Sequence, residues 1–438
     1  MIILYFIGML LLGIYKKNTK SSNEYLYSSR KLTLPSFIAT LVTTWYGGIL
    51  AIGNEVYKNG VITWFSLCFF WYIAAIIYAF YFAPKIYTMK IQSIPSLFSK
   101  KLGKASGIVS SFIMILLSSP APYIMIFCMI LNHIYNTNFL LSIPISIIFS
   151  VLYTYNGGFK SIIRTDKIQF ILMFSGFIII IYNIASDYGG YHYITNNTPK
   201  EYLSITLTDI IYVLPWGVIA LSTFIDPNIL QRSYSAKNLN ILQNGMLISV
   251  AFWFIFDCLT ILTGIYAISI CLTDNSNIYL SLADITLDPI YRNIFFIGLL
   301  SIVMSTIDSF SFTSGTTIGR DLIPNIIKHN KQISLIKYTQ TGIIITSIMS
   351  VLLILFIGYN NFNYVIDFWY SFGSLAASTI LIPFIFLLNK SEFKLGILII
   401  CIPGLIFIIS YFILELWFSI YLGLFSSLAF CLIFRIKS

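Results

Sequence analysis

Long apolar runs alternate with short polar connections along the whole chain. Hydrophobic stretches occupy 1–15, 34–57, 60–87, 104–132, 137–156, 164–186, 205–231, 240–271, 289–318, 335–358, 364–389, 394–413 and 416–434. Crossing roughly 30 Å of hydrocarbon takes about 20 helical residues. The pattern therefore predicts an all-α polytopic membrane protein of about thirteen transmembrane helices, read as one membrane domain over 1–438. The first run is short, but it lacks the basic lead-in and small-residue cleavage site of a signal peptide, so it is read as a retained helix.

Two of these runs carry helix-weakening residues near their middles. In the second, Thr43, Thr44, Trp45 and Tyr46 are followed by Gly47 and Gly48; in the seventh, Pro215, Trp216 and Gly217 precede Ser222, Thr223, Asp226 and Pro227. Five spans separate the two positions. This offset predicts a 5+5 inverted repeat, each half opening on a discontinuous helix, with one extra helix before the core and two after it. The corresponding boundaries are 1–33 for the extra N-terminal helix and loop, 34–186 and 205–389 for the repeats, and 394–438 for the last two helices. Ser118-Ser-Pro120-Ala-Pro122 predicts a kink in the fourth span.

The ninth run is the chemically informative one. Ile302-Val-Met-Ser305-Thr306-Ile-Asp308-Ser309 sets four oxygen-bearing side chains in a greasy segment. At 3.6 residues per turn, positions 302, 305, 306 and 309 share one face, which Thr313 and Thr316 extend. Such groups are costly in lipid unless they face a partner, a cavity or an ion. Carbonyls freed at a helix break have the same need, and a hard cation seeks several oxygens of this kind. This pairs the break at Leu41 to Thr44 with Ser305 and Thr306.

Charge changes the picture only in setting orientation. The net charge is +10, but the basic residues fall in alternate connections: Lys16, Lys17, Lys20, Arg30 and Lys31; then Lys85, Lys90, Lys100, Lys101 and Lys104; then Lys160, Arg164 and Lys167. Arg232 and Lys237, Arg320 to Lys337, Lys390 and Lys394, and Arg435 and Lys437 continue the series, whereas the connection from Asp274 to Asp288 is acidic. By the positive-inside rule the N-terminus lies outside and the C-terminus in the cytoplasm. The basic residues are topology signals and no nucleic-acid partner is expected.

Composition agrees, with 58% hydrophobic and 10% charged residues and a mean hydropathy of +0.86. The six cysteines have no metal-type spacing, the three histidines are scattered, and no Gly-rich phosphate loop with Lys-Ser or Lys-Thr is found. An enzyme or a nucleotide-driven pump is not expected. Among the remaining acids, Asp257 and Asp367 are open to an ion-pathway or a helix-packing role, Glu55 and Asp226 lie near half-helix ends, and Arg164 and Arg232 are gate or topology residues.

Several stretches, taken in order, resemble the sodium:solute symporter family. They are Asn23-Glu-Tyr-Leu-Tyr-Ser-Ser-Arg30, Gly53-Asn-Glu55-Val-Tyr57, Gly157 to Gln169 with Thr165-Asp166, Asp226-Pro-Asn-Ile-Leu-Gln-Arg232 with Ser235-Ala-Lys237, Met304 to Ser309, and Gly319-Arg-Asp321-Leu. The resemblance implies a leucine-transporter-like fold and a sodium site made by the carbonyls of Leu41, Thr44 and Ile302 with the hydroxyls of Ser305 and Thr306. It implies a second cation site at Asp166, Ser305, Asp308 and Ser309, where Asp308 replaces a hydroxyl and is open to binding the cation, carrying a proton or pairing with a base. The solute is expected near Thr44, Trp45, Tyr46, Gly47 and Gly48 on one side and Trp216, Ile219 and Thr223 on the other. No Arg or Lys lies between Ala105 and His133, which argues against sialic acid, and Thr43 stands where a proline carrier has an aspartate.

The expected activity is sodium-coupled symport of a small organic solute by alternating access, in a bacterial cytoplasmic membrane. Sodium is the coupling ion, no cofactor is expected, and the lipid bilayer is the partner of a protein working as a monomer. The alternatives are proton coupling and a transport-derived sensor or channel.

Overall fold

The computed structural model describes residues 1–14, 21–272, 277–326, 334–357, 363–416 and 418–436. The topology signals Lys16, Lys17, Lys20, Asp274, Lys328, Lys331 and Lys437 lie outside the described residues. The chain is all-helical, and among the described residues no strand forms; only isolated bridges occur, Leu32 with Ala236 and Phe393 with Arg435.

Thirteen apolar elements follow one another. α1 is Ile2–Ile14, and α2 is a bent pair, Leu34–Trp45 with Ile49–Asn59. Then come α3 (Ile62–Met89), α4 (Lys104–Tyr135), α5 (Phe139–Gly157), α6 (Phe159–Asp187), α7 (Leu207–Ser235) and α8 (Leu239–Ser269). α9 (Pro289–Ile326), α10 (Leu335–Ile357), α11 (Val365–Leu388), α12 (Gly396–Ile413) and α13 (Ser419–Phe434) complete the set. Among the described residues, ten helices are long and apolar enough to span a bilayer, or eleven with the bent pair. The two others expected to span, α1 and α13, have 13 and 16 helical residues. At about 1.5 Å per residue they cover about 20 and 24 Å, short of the hydrocarbon thickness, so the length criterion supports fewer spans than thirteen.

α9 is the centre of the bundle: from Phe295 to Thr316 nearly every residue is buried. Its closest neighbour is α6, where a Cβ on Gly298 would stand 3.0 Å from the Leu172 carbonyl oxygen and 3.3 Å from the Gly176 Cα. Small residues at this crossing bring two backbones together, which is how helices associate where lipid removes the hydrophobic driving force. The outer faces instead present large apolar side chains, among them Leu4, Phe80, Ile171, Leu352 and Phe425, as a lipid-facing surface requires.

The kink expected in α4 is present: helix stops at Leu117 and resumes at Ala121, across Ser118 to Pro120. The interruption of α7 falls in the later part of the stretch expected to carry it, at Ser222 to Asp226, and not at Pro215 or Gly217. Both residues remain inside regular helix Leu207–Ala220, and the break occupies Leu221–Ile225 and Asp226. Proline removes one hydrogen bond and bends a helix, but neighbouring helices can hold it together.

Candidate functional site

The α2 break follows from its two glycines. The helix stops at Trp45, Tyr46 to Gly48 form a turn, and the chain resumes at Ile49 bent by 59°. A Cβ on Gly47 would lie 2.5 Å from Thr306 Cγ2 and one on Gly48 2.1 Å from the Trp369 indole, so no larger residue fits either place. The Thr44 carbonyl, one of the last of its helix, has no intrahelical amide to accept. It accepts instead from the Thr306 hydroxyl at 3.1 Å, and the same hydroxyl lies 3.1 Å from the Ile302 carbonyl. Leu41, a turn earlier, is buried on the wall of the adjoining cavity.

The α7 break is built differently. Leu221–Ile225 tightens into a 3₁₀ turn, Asp226 adopts extended backbone, and its carboxylate accepts the amides of Asn228 (2.7 Å) and Ile229 (2.9 Å). Asp226 therefore caps the half-helix Pro227–Ser235, restoring partners to its first amides. That half-helix carries Arg232 into the middle of the protein.

Arg232 is fully buried. Its guanidinium donates to Thr40 Oγ1 (2.9 Å), Thr44 Oγ1 (2.7 Å) and Ser309 Oγ (2.9 Å) and stands 4.0 Å from the Asp166 carboxylate. Asp166 in turn accepts from the hydroxyls of Thr40 and, at 2.7 Å, Ser305. A charge that deep in lipid is affordable only when paired and hydrogen-bonded in this way.

Of the five residues named for the first sodium site, the structure brings Thr44, Ile302 and Thr306 together directly, places Leu41 beside them, and turns Ser305 toward Asp166. Of the four named for a second site, Asp166 and Ser305 touch, and Ser309 bonds Arg232 and Thr44. Asp308 goes elsewhere: it accepts from Tyr153 of α5.

A cavity of about 130 Å³ lies between the two breaks, lined by Thr44, Trp45, Tyr46, Ile219 and Thr223 from the expected set. Gly47, Gly48 and Trp216 are not on its wall: the glycines are covered by Thr306, Tyr123 and Trp369, and Trp216 packs 6.3 Å from Trp71 and 5.8 Å from Tyr370. At the end bearing the basic connections, hydrogen bonds join segments distant in sequence. Arg320 donates to Asp321 (2.6 and 2.9 Å) and to the Tyr27 hydroxyl, Arg30 donates to the Tyr234 carbonyl (3.0 Å), and Leu32 donates to the Ser235 carbonyl (3.1 Å).

The sequence profile of the sodium:solute symporter family matches residues 25–396, which include both broken helices, the α9 hydroxyls and Arg232. The chain belongs to this family. It is thus a multi-pass membrane protein and a secondary active solute transporter. Among curated relatives of this symporter, the osmoregulated proline transporter OpuE of Bacillus subtilis is 23% identical over 414 aligned positions, covering 86% of this chain and 82% of the relative. The sodium/pantothenate symporter of Haemophilus influenzae is 28% identical over 222 positions, 46% of this chain and 44% of the relative. Among solved structures, a Na+-coupled sialic acid symporter in a substrate-bound outward-open state aligns with a TM-score of 0.82 at 17% identity, over 100% of this chain and 98% of that one. Mhp1, a nucleobase-cation-symport-1 family transporter in a closed conformation, aligns with a TM-score of 0.66 at 13% identity over 97% and 98%. These likenesses establish the leucine-transporter-like fold.

The symporter's cavity also holds residues that the sequence did not assign to the solute. Trp71 of α3, Tyr123 of α4, Asp257 of α8, Phe310 of α9 and Trp369 of α11 all line it. One signal was present for Asp257, a lone acid midway along a 31-residue apolar helix. Nothing in the periodicity of α3 or α11 separates an indole that lines a cavity from one that packs.

Proposed function

We propose that this symporter couples one sodium ion to the uptake of a small organic solute by alternating access. The observation that carries the reading is the junction of α2 and α9, where the Thr44 and Ile302 carbonyls converge on the Thr306 hydroxyl at the edge of a cavity between two broken helices. Sodium would replace the Thr306 hydrogen bonds with direct oxygen contacts, and Leu41 and Ser305 would complete the set. Hydroxyls and carbonyls hold a monovalent cation without the desolvation cost of a buried carboxylate cage.

The count of one rests on Arg232. Its guanidinium bonds Ser309 and lies against Asp166, so a fixed positive charge sits among the residues named for a second cation, and Asp308 faces Tyr153 instead. One sodium crossing 100 mV supplies about 2.3 kcal/mol, enough for roughly fifty-fold accumulation of a neutral solute before any concentration gradient is added. Coupling further requires that sodium bind the outward and inward states unequally.

The transport unit in this reading is the pair of repeats 34–186 and 205–389, acting within a single chain, with the N-terminus outside and the basic connections in the cytoplasm. A small polar organic cargo is in keeping with the names of the relatives, a proline transporter and a pantothenate symporter. The test is solute uptake into proteoliposomes under an imposed sodium gradient with a protonophore present and, separately, under an imposed proton gradient without one. Accumulation that collapses without sodium supports the reading; accumulation driven by a proton gradient and indifferent to sodium rejects it.

A further inference from the structure

The wall of the cavity carries a carboxylate that sodium coupling leaves unused. Asp257 projects from α8 onto the cavity surface with only 3% of its surface exposed. The Tyr72 hydroxyl of α3 donates to it, while the neighbouring Tyr46 hydroxyl donates to the Trp253 carbonyl at 3.0 Å. Among the described residues no Lys, Arg or His comes within 4.0 Å of it. Asp226, the other acid on the cavity wall apart from Asp257, is engaged by two backbone amides, and the cavity's arginine is engaged by three hydroxyls beside Asp166. Among the described residues neither lining acid has an ion-pair partner, but Asp226 is spent on capping its half-helix, whereas Asp257 is held by a tyrosine hydroxyl.

Three indoles share this cavity: Trp45, Trp71 and Trp369. Trp45 is held by stacking on Trp253, one turn before Asp257, with ring centroids 4.7 Å apart, and Trp369 is fixed by donating to the Tyr123 hydroxyl at 3.1 Å. Two wide π-helical turns, Phe65–Phe69 and Tyr78–Phe82, bracket the α3 segment that delivers Trp71 and Tyr72, a distortion that recurs at functional sites. A negative carboxylate among rigid indoles is the arrangement that attracts a desolvated organic cation, through the ion pair and through the negative faces of the rings.

We propose that the transported solute carries a cationic amine, and that Asp257, oriented by Tyr72, binds its nitrogen while Trp45, Trp71 and Trp369 enclose its substituents. This rests on the symport reading above. It deepens that reading by naming the chemical class of the cargo. The cavity of about 130 Å³ suits a compact ammonium compound and not a drug-sized one. Two sources offer this chemistry, a simple organic cation and a zwitterion. Thr223 Oγ1 and Asn228 Nδ2, on residues of the α7 wall, have no hydrogen-bond partner and are available to the carboxylate of a zwitterion.

The test is calorimetric binding to the purified full-length protein in sodium buffer, with choline and tetramethylammonium as cations, glycine betaine and L-proline as zwitterions, and D-glucose and acetate as controls. Binding of at least one amine and of neither control is expected; choline alone identifies a cation carrier, and betaine or proline alone a zwitterion carrier. Asp257→Asn should weaken the bound amine roughly 10- to 100-fold, the range for a hydrogen bond to a charged group, with partial recovery in Asp257→Glu. Sodium-dependent thermal stabilisation, measured without solute, reports separately on folding and on the sodium junction. If it persists in Asp257→Asn while amine affinity is unchanged, the proposal is overturned. A panel in which no amine binds overturns it equally. Absence of sodium stabilisation in the unmodified protein would instead count against the coupling ion and leave the amine result to stand alone.

Discussion

The guanidinium of Arg232 and the carboxylate of Asp166 stand 4.0 Å apart with no exposed side-chain surface on either. One comes from the second half of a broken helix and the other from α6, so the pair ties that half-helix to the body of the bundle. Because each partner also bonds Thr40, and Arg232 bonds Thr44, the pair is continuous with the end of the first broken helix. If it shapes the gate and no second cation binds there, Asp166→Asn will slow turnover and leave the charge moved per solute unchanged. A sodium Hill coefficient near two that falls to one in Asp166→Asn would reinstate the second ion. Arg232→Met should be the more damaging change, by about 3–5 kcal/mol, since it strands a buried carboxylate; adding Asp166→Asn should recover much of the loss in thermal unfolding.

Thr306 and Ser305 differ in what they touch. Thr306 joins two backbone carbonyls across the α2–α9 junction, whereas Ser305 bonds Asp166. Thr306→Ala should raise the sodium concentration for half-maximal uptake by about ten-fold or more, equivalent to about 1.4 kcal/mol, and Thr306→Ser should restore most of it. Ser305→Ala should have the smaller effect. Sodium titration of uptake at fixed solute decides, and equal insensitivity of both variants would remove the junction as the ion site.

Gly48 has no room for a side chain because Trp369 fills the space its Cβ would take. Gly48→Ala should therefore cost about 1–3 kcal/mol through overpacking and abolish most uptake, and Trp369→Ala in the same chain should relieve the clash. Unfolding temperatures of the single and double variants measure the relief. An unchanged Gly48→Ala would mean that the break does not need this close approach.

Orientation is tested by labelling. Asn197 lies exposed between α6 and α7, and Ser334 lies exposed just before α10. With Cys271 replaced by Ala, a cysteine at 197 should react with an impermeant maleimide in intact cells and one at 334 only after permeabilisation. The reverse pattern would invert the assigned topology.

The sequence by itself determined the solvent in which this protein folds and the order of its helices. Hydrocarbon supplies no hydrogen-bonding partners, so apolar runs of spanning length can only be helices, and basic connections of alternate sign of exposure orient them. For the same reason the break at Gly47 and Gly48 and the oxygen stripe through Ser305, Thr306 and Ser309 were legible: polar groups at membrane depth stand out against lipid-like neighbours. Other features were decided only when helices distant in sequence met. Pro215 and Gly217 mark a weak point, yet α7 opens later, where Asp226 can cap the half-helix. Asp308 shares a helix with Ser305 and Ser309 but faces Tyr153, because a side chain's surroundings depend on the helix opposite it and not on its own periodicity. The meeting of Asp257 with Tyr72, 185 residues apart, and of Arg232 with Thr40, 192 apart, needed the folded bundle. Local pattern fixes which residues are expensive in a membrane, and only packing chooses the partners that stabilise them.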